Sequence, residues 1–280
     1  MGSHVVVVGG GLGGLAAAAV AAARATYLAG FAATSNLESE RRHGIPTAGT
    51  AAHAWVLLHE DELTAFESQV KALGAETTLL VDTYDIRKGI ELAVRAAGPG
   101  LGAVRIDSGD LGELARQARE QLDALGATGT KIVLSGDLDE YAIAALRAEP
   151  VDSYGVGTSV VTGSGAPTAS MVYKLVEVDG RPVAKRSAAK ESRGGRKSAV
   201  RRFKPTGTAI EEVVHAAATP PAVGPHDRVV PVPLMRGGEL VPGLETLEQS
   251  RERLRAALVS VPWEGLKLSR GEPAIPTVFA

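Results

Sequence analysis

Four short apolar runs decide the fold: Thr78-Leu79-Leu80-Val81-Asp82, Gly102-Ala103-Val104-Arg105-Ile106-Asp107, Lys131-Ile132-Val133-Leu134-Ser135 and Val151-Asp152-Ser153-Tyr154-Gly155-Val156-Gly157. Each is of strand length and apolar almost throughout, the mark of a strand buried on both faces. Between them the spacing turns helical, over about Ile86 to Ala97, Leu111 to Leu125 and Glu140 to Ala148, with Gly or Pro punctuating the ends. Strand and helix in alternation predict a parallel α/β sheet covered on both sides, either doubly wound or closed as a barrel.

The polar residues of this layout fall on one side. Asp82, Asp107 and Asp137 follow the carboxyl ends of three successive strands, and Gly155 and Gly157 mark the end of a fourth. In a parallel sheet or barrel those ends share one face, where such folds bind ligands. Three aspartates far apart in the chain are thus expected to form one site. The competing reading is that a strand-end aspartate merely caps the next helix.

Outward toward the N-terminus, Val5-Val6-Val7-Val8-Gly9-Gly10-Gly11-Leu12-Gly13-Gly14 satisfies Gly-x-Gly-x-x-Gly through Gly9, Gly11 and Gly14. It resembles the opening of a domain that binds FAD or NAD. That chemistry needs a second parallel strand bringing a carboxylate to the ribose about 20 residues later. No such strand is legible after Leu15 to Arg24, and the first acidic residue is Glu38. Met1-Gly2-Ser3-His4 reads as a leader left by cloning.

Toward the C-terminus, Met171 to Val178 and Arg181 to Lys185 flank Asp179-Gly180, a hairpin signal. A basic stretch follows, including Lys185, Arg186, Lys190, Arg193, Arg196, Lys197, Arg201 and Arg202, and reads most simply as a solvated loop. One amphipathic helix is expected over about Leu244 to Ser260. The expected organisation is a glycine-rich 1–18, an α/β core over 19–170 and a hairpin, basic loop and appendage over 171–280.

Composition bounds the function. Of 280 residues, 45% are hydrophobic and 22% charged, enough to bury one large core or one core with a small appendage. The formal net charge of -2 gives no reason to expect nucleic acid or an anionic membrane as partner. The absence of cysteine excludes disulfides, thiolate zinc sites and a cysteine nucleophile, and it fits a reducing, cytoplasmic setting. The five glycines between Gly9 and Gly14 make the apolar start a poor signal peptide and a poor membrane span.

Seven ordered motifs carry a resemblance that runs from Ala19 to the C-terminus. They are Ala32-Ala33-Thr34-Ser35-Asn36, Gly44-Ile45-Pro46, Gly49-Thr50-Ala51-Ala52-His53, Val81-Asp82-Thr83-Tyr84-Asp85, Val104 to Asp110, Ser135-Gly136-Asp137 and Gly155-Val156-Gly157-Thr158-Ser159. In these the chain resembles nicotinate phosphoribosyltransferase lacking its N-terminal portion.

The resemblance implies an incomplete (β/α) barrel with a C-terminal appendage. It also implies ATP-coupled formation of nicotinate mononucleotide from nicotinate and phosphoribosyl pyrophosphate, a step of NAD biosynthesis. By the same resemblance His53 matches the histidine that ATP phosphorylates, Thr50 and Arg105 match positions that hold nicotinate, and Asp107, Asp137, Gly155, Gly157 and Thr158 match positions that meet phosphoribosyl pyrophosphate. Mg2+ would arrive with the substrates, near Asp107 and Asp137, and no protein cage for a metal is expected.

The chemistry suits these residue types. A neutral imidazole is a nucleophile near pH 7, a guanidinium pairs with a carboxylate in two places, and ribosyl transfer through an oxocarbenium-like state rests on positioning and charge. Arg105 can equally form a structural salt bridge with Asp107 or Asp110. Family members build each site across a homodimer interface, and their N-terminal region supplies an aromatic residue and a Gly-Ser-Arg-Arg segment that are not seen here. The expectation is therefore an impaired site. The alternatives are an inactive fragment, a phosphoribosyltransferase for another base, or an FAD- or NAD-binding protein.

Overall fold

The computed structural model describes residues 4–7, 15–163, 172–186, 192–216, 223–267 and 271–280, with side chains from residue 19 onward. The glycine fingerprint at Gly9 to Gly14, Met171 and Lys190 lie outside the described residues. The chain forms two compact units, Met1–Val178 with Val183–Arg193, and Asp179–Pro182 with Gly194–Ala280.

In the first unit the elements run β1 (His4–Val7), α1 (Leu15–Leu28), β2 (Ala33–Thr34), α2 (Leu37–His43), α3 (His53–Leu58), α4 (Glu62–Leu73), β3 (Thr78–Leu80), α5 (Ile86–Ala97), β4 (Ala103–Ile106), α6 (Leu111–Ala124), β5 (Lys131–Ser135), α7 (Glu140–Leu146), β6 (Ser153–Val156) and α8 (Thr158–Thr162). All pairings in the six-stranded sheet are parallel, in the order β2-β1-β6-β5-β4-β3. The sheet is open. The expected parallel α/β sheet is present, and among the described residues β2 and β3 are separate edges that no pairing joins, so no closed barrel forms.

A second correction concerns β2, which pairs parallel with β1 through Val6–Ala33 and Val7–Thr34, so a strand that the sequence does not announce exists after α1. It is two residues long and ends in Thr34-Ser35-Asn36, without the carboxylate that a ribose needs.

Why these residues form these elements is plain along β3 to β6. Leu79, Val81, Val104, Ile106, Ile132, Leu134, Tyr154 and Val156 are all buried in one core, against Phe66 of α4, Ile90 of α5 and Leu122 of α6. Each helix packs its apolar stripe on the strands, and its polar face stays in water. Helix α5 lies so close to β3 that a Cβ on Gly89 would sit 2.3 Å from the Val81 carbonyl oxygen, so only glycine fits there.

A short hairpin, β7 (Glu177–Val178) and β8 (Arg181–Pro182), turns at Asp179 and Gly180, both with positive φ. In the second unit, β9 (Ser198–Phe203), β10 (Ala209–His215), β11 (Arg228–Val229) and β14 (Thr277–Phe279) form a sheet in the order β11-β9-β10-β14. The hairpin β12 (Met235–Arg236) with β13 (Glu239–Leu240) and α9 (Leu247–Ser260), held by a Thr246–Gln249 capping box, complete it. Among the described residues no helix is long and apolar enough to cross a membrane.

Candidate active site

Each of three strand ends carries two aspartates with different work. Asp85, Asp110 and Asp139 are helix caps, their carboxylates accepting the backbone N–H groups of Lys88 at 2.8 Å, Glu113 at 3.2 Å and Ala142 at 2.8 Å. The earlier member of each pair, Asp82, Asp107 and Asp137, is thereby left available for other contacts. Asp82 is fully buried, Asp107 half-buried and Asp137 exposed.

Arg105 gathers the first part of the site. On β4 its side chain shares a face with Ala103, and β5 and β6 present Val133, Ser135 and Gly155 to the same cavity of about 620 Å³, which Thr50 also lines. That volume is ordinary for a small-ligand site. The Arg105 guanidinium donates to Ser135 Oγ at 2.8 Å, to Thr50 Oγ1 and to Asp107 Oδ1 at 2.9 Å. Ser135 Oγ donates in turn to the same Asp107 oxygen at 2.6 Å. Of the two salt bridges open to Arg105, the one with Asp107 forms, whereas Asp110 is a cap. Within the described residues, three of its five N–H groups are engaged and two remain for an incoming anion.

His53 forms the second part. It opens α3, and the segment before it is fixed to the sheet edge by a parallel bridge between Thr34 and Thr47. Its Nε2 lies 3.8 Å from Asp82 Oδ1 and 3.8 Å from Asp107 Oδ2, which joins the histidine to the arginine's network. Its Nδ1 is 3.1 Å from Thr83 Oγ1. Ser108 Oγ donates to Asp82 Oδ2 at 2.5 Å.

The site residue that sequence reasoning misses is Lys185. Composition assigns it to a solvated basic loop, yet it is 6% exposed, with Nζ 2.7 Å from His53 Nε2 and 3.3 Å from Asp82 Oδ2. The solvated reading is corrected for this residue. Val183 is also 6% exposed, while Arg186 is exposed. A period of two through Val183 and Lys185 is the available signal.

Thr50, His53, Arg105, Asp107 and Gly155 therefore meet in or beside one cavity. Asp137, Gly157 and Thr158 are not tied to that network by any hydrogen bond among the described residues. Gly157 precedes α8 and Thr158 is exposed on its first turn. Asp137 sits at φ 54 after Gly136 at φ 122, an uncommon backbone conformation for a side-chain-bearing residue. Among the described residues no group of three or more His, Cys, Asp or Glu side chains is arranged to hold a metal ion.

Glu62, the first residue of α4, is a buried neighbour that the site does not use, and its Oε1 has no hydrogen-bond partner among the described residues. Burial, with the Asp82 and Asp85 carboxylates adding repulsion, pushes its carboxyl up to about 8. Below pH 4.5 the folded and unfolded chains both hold this proton. From there to pH 8 the unfolded chain ionises freely while the fold resists, so stability falls across that window. Glu62→Gln should consequently raise the melting temperature by an amount that grows between pH 5 and 8, approaching on the order of 2 kcal/mol of stability. Thermal melts at pH 5 and pH 8 measure it, and an equal difference at both would show that Glu62 ionises without penalty.

No family model matches the chain. Among curated proteins it is 63% identical over 268 residues to the nicotinate phosphoribosyltransferase pncB1 of Mycobacterium tuberculosis, a match covering 93% of this chain and 60% of that protein. It is 43% identical over 176 residues to the nicotinate phosphoribosyltransferase of Bacillus subtilis, covering 59% of this chain and 36% of that one. Among solved structures, a nicotinate-nucleotide pyrophosphorylase from Pyrococcus furiosus aligns with a TM-score of 0.52 at 26% identity, over 92% of this chain and 65% of that chain. The chain thus spans about 60% of the length of the Mycobacterium relative.

Proposed function

Since the chain belongs to the nicotinate phosphoribosyltransferase family, we propose that it carries the catalytic machinery that joins nicotinate to phosphoribosyl pyrophosphate, coupled to ATP, in the making of pyridine nucleotides. One observation carries this reading: a histidine and an arginine with unused donors share a single network at the carboxyl face of a parallel sheet. In it the Arg105 guanidinium and the Thr50 hydroxyl receive the nicotinate carboxylate. The pyridine nitrogen then attacks the anomeric carbon as pyrophosphate leaves, and His53 accepts the γ-phosphoryl group of ATP. Asp107 and Asp137 face the sugar hydroxyls and the Mg2+ that arrives with the polyphosphates, and the turn Gly155 to Thr158 faces phosphate. The enzyme is proposed to work in the cytoplasm and as a homodimer.

The sheet order supports an incomplete barrel as the underlying architecture. Read from the β3 edge it is 3-4-5-6-1-2, each strand beside its successor and the first beside the last, as in a singly wound barrel opened between β2 and β3. A doubly wound sheet would instead reverse direction at an internal strand.

The test is a product assay. Protein supplied with nicotinate, phosphoribosyl pyrophosphate, ATP and Mg2+ should form nicotinate mononucleotide, detected by chromatography, and nicotinamide or quinolinate in its place should not react. Nucleotide formation from another base alone would reassign the substrate, and no product with any base would overturn the proposal.

Asp107→Asn and Asp137→Asn should each weaken phosphoribosyl pyrophosphate binding in Mg2+ by about 1 to 3 kcal/mol, the range for leaving polar groups unpaired. The two differ in stability. Asp137→Asn should leave melting unchanged, because asparagine also tolerates positive φ. Asp107→Asn should lower it by removing Arg105's charged partner. Calorimetric titration with unchanged affinity for both variants would remove these residues from the site.

A further inference from the structure

We infer that Lys185 is the positioning cation of His53: it selects Nε2 as the nitrogen that takes the phosphoryl group and then moves onto that group's oxygens. This rests on the reading of His53 as the phosphoryl acceptor. The starting observation is a contact between two side chains far apart in the chain, Lys185 Nζ at 2.7 Å from His53 Nε2.

An ammonium has three donors and no acceptor, so Nε2 must be the acceptor in this contact and carries no proton. In the neutral imidazole the proton then resides on Nδ1, where Thr83 Oγ1 at 3.1 Å receives it. The tautomer is thus set from both sides of the ring.

Lys185 is held for this task by its backbone. Its N–H donates to Ser192 Oγ at 3.2 Å, its carbonyl accepts from the Ser192 N–H at 3.2 Å, and the next residue, Arg186, donates its N–H to the Thr83 carbonyl at 3.0 Å. The same threonine therefore fixes the histidine through its side chain and the segment carrying the lysine through its main chain. The lysine's charge is balanced by buried Asp82 at 3.3 Å. Among the described residues, the charged groups facing His53 are Asp82 after β3, Asp107 after β4 and Lys185 itself, with Arg105 bound to Asp107.

The step balances without an external base. The Nε2 lone pair forms the N–P bond as the bond from the γ-phosphorus to the bridging oxygen breaks and ADP leaves with that electron pair. No proton has to leave Nε2. The positive charge developing on the ring is met by the Asp82 and Asp107 carboxylates. Lys185, displaced from the lone pair now in the N–P bond, finds the transferred phosphoryl oxygens within reach and offsets their charge.

Three measurements test this on the full chain. In unmodified protein, 15N NMR of the histidine rings should show His53 protonated at Nδ1 with Nε2 as acceptor, and the reverse tautomer would overturn the inference with no variant needed. After reaction with γ-labelled ATP the phosphohistidine should be the Nε2-linked isomer, and the Nδ1-linked isomer would overturn it too. Lys185→Ala, checked for folding by thermal melting, should be labelled more slowly by on the order of 100-fold.

Methylammonium or ethylammonium should restore part of that rate in a saturable way, which a merely structural lysine would not allow, and Lys185→Arg should retain more activity than Lys185→Ala. A Lys185→Ala protein labelled at the normal rate, or one slowed but unresponsive to amines, would sink the inference. If the unmodified protein takes no label, the phosphoryl-acceptor reading of His53 fails, and the reactive role of Lys185 with it. A labelled protein with a fast Lys185→Ala variant fails the lysine alone.

Discussion

Protein incubated with γ-labelled ATP should acquire acid-labile, base-stable label, and His53→Ala should acquire none. The magnitude is total because the effect is the removal of the acceptor atom and not the weakening of a contact. His59 supplies the control at the other end of the same helix, where it is the C-cap of α3. Its Nδ1 donates to the Trp55 carbonyl at 2.8 Å and its ring packs on Trp55 at 4.6 Å, so its work is structural. His59→Ala should therefore keep its label while melting at a lower temperature. The alanine at position 53 removes a side chain that bridges Lys185 and Thr83 across the site, so its folding has to be confirmed by circular dichroism. Label retained on folded His53→Ala protein would reassign the acceptor.

Arg105→Met should have two large effects that separate in measurement. The methionine keeps much of the bulk and removes the charge, leaving Asp107 half-buried without its cation. Breaking such a pair by removing one partner costs about 3 kcal/mol, which shows as a lower denaturant midpoint. Nicotinate affinity should fall by roughly 100-fold or more, the loss of a charge-assisted pair to a carboxylate. A double variant, Arg105→Met with Asp107→Asn, should recover part of the stability and none of the affinity. If nicotinate affinity survives while stability drops, Arg105 belongs to the scaffold and the carboxylate is held elsewhere.

The sheet of the first unit is legible where the chain is locally simple. The run at Lys131 to Ser135 and the helix at Ile86 to Ala97 occur at the bounds that apolar spacing and flanking glycines set. The ends of the other strands contract by one or two residues, because hydrogen bonding to the neighbouring strand stops where the chain turns into its loop. The pairs Asp82 and Asp85, Asp107 and Asp110, and Asp137 and Asp139 cannot be divided into ligand candidates and caps from composition, since the division is made by distance from the helix start.

Strand β2 is invisible in the sequence because two residues make no period, and its pairing with β1 is a tertiary event. Lys185 stands 132 residues from His53, and no local rule links them. Its alternation with Val183 shows which side faces inward but not what lies there. Closure of the sheet is equally beyond local reading: parallel strands in sequence order are common to open and closed forms, and only the missing β2–β3 pairing distinguishes them.

The strand order has a consequence for the time course of folding. Strands β3 to β6 pair each with its successor in the chain, so this block closes through successive short loops and can form before the rest. Strand β1 pairs Val5 with Tyr154, and β2 attaches only through β1. The segment that carries β1 therefore finds its place only once the β3 to β6 block offers the edge of β6. Until β6 is completed at Val156, the apolar run at Val5 to Val8 is without its partner strand, and over that interval the nascent chain is exposed to mispairing.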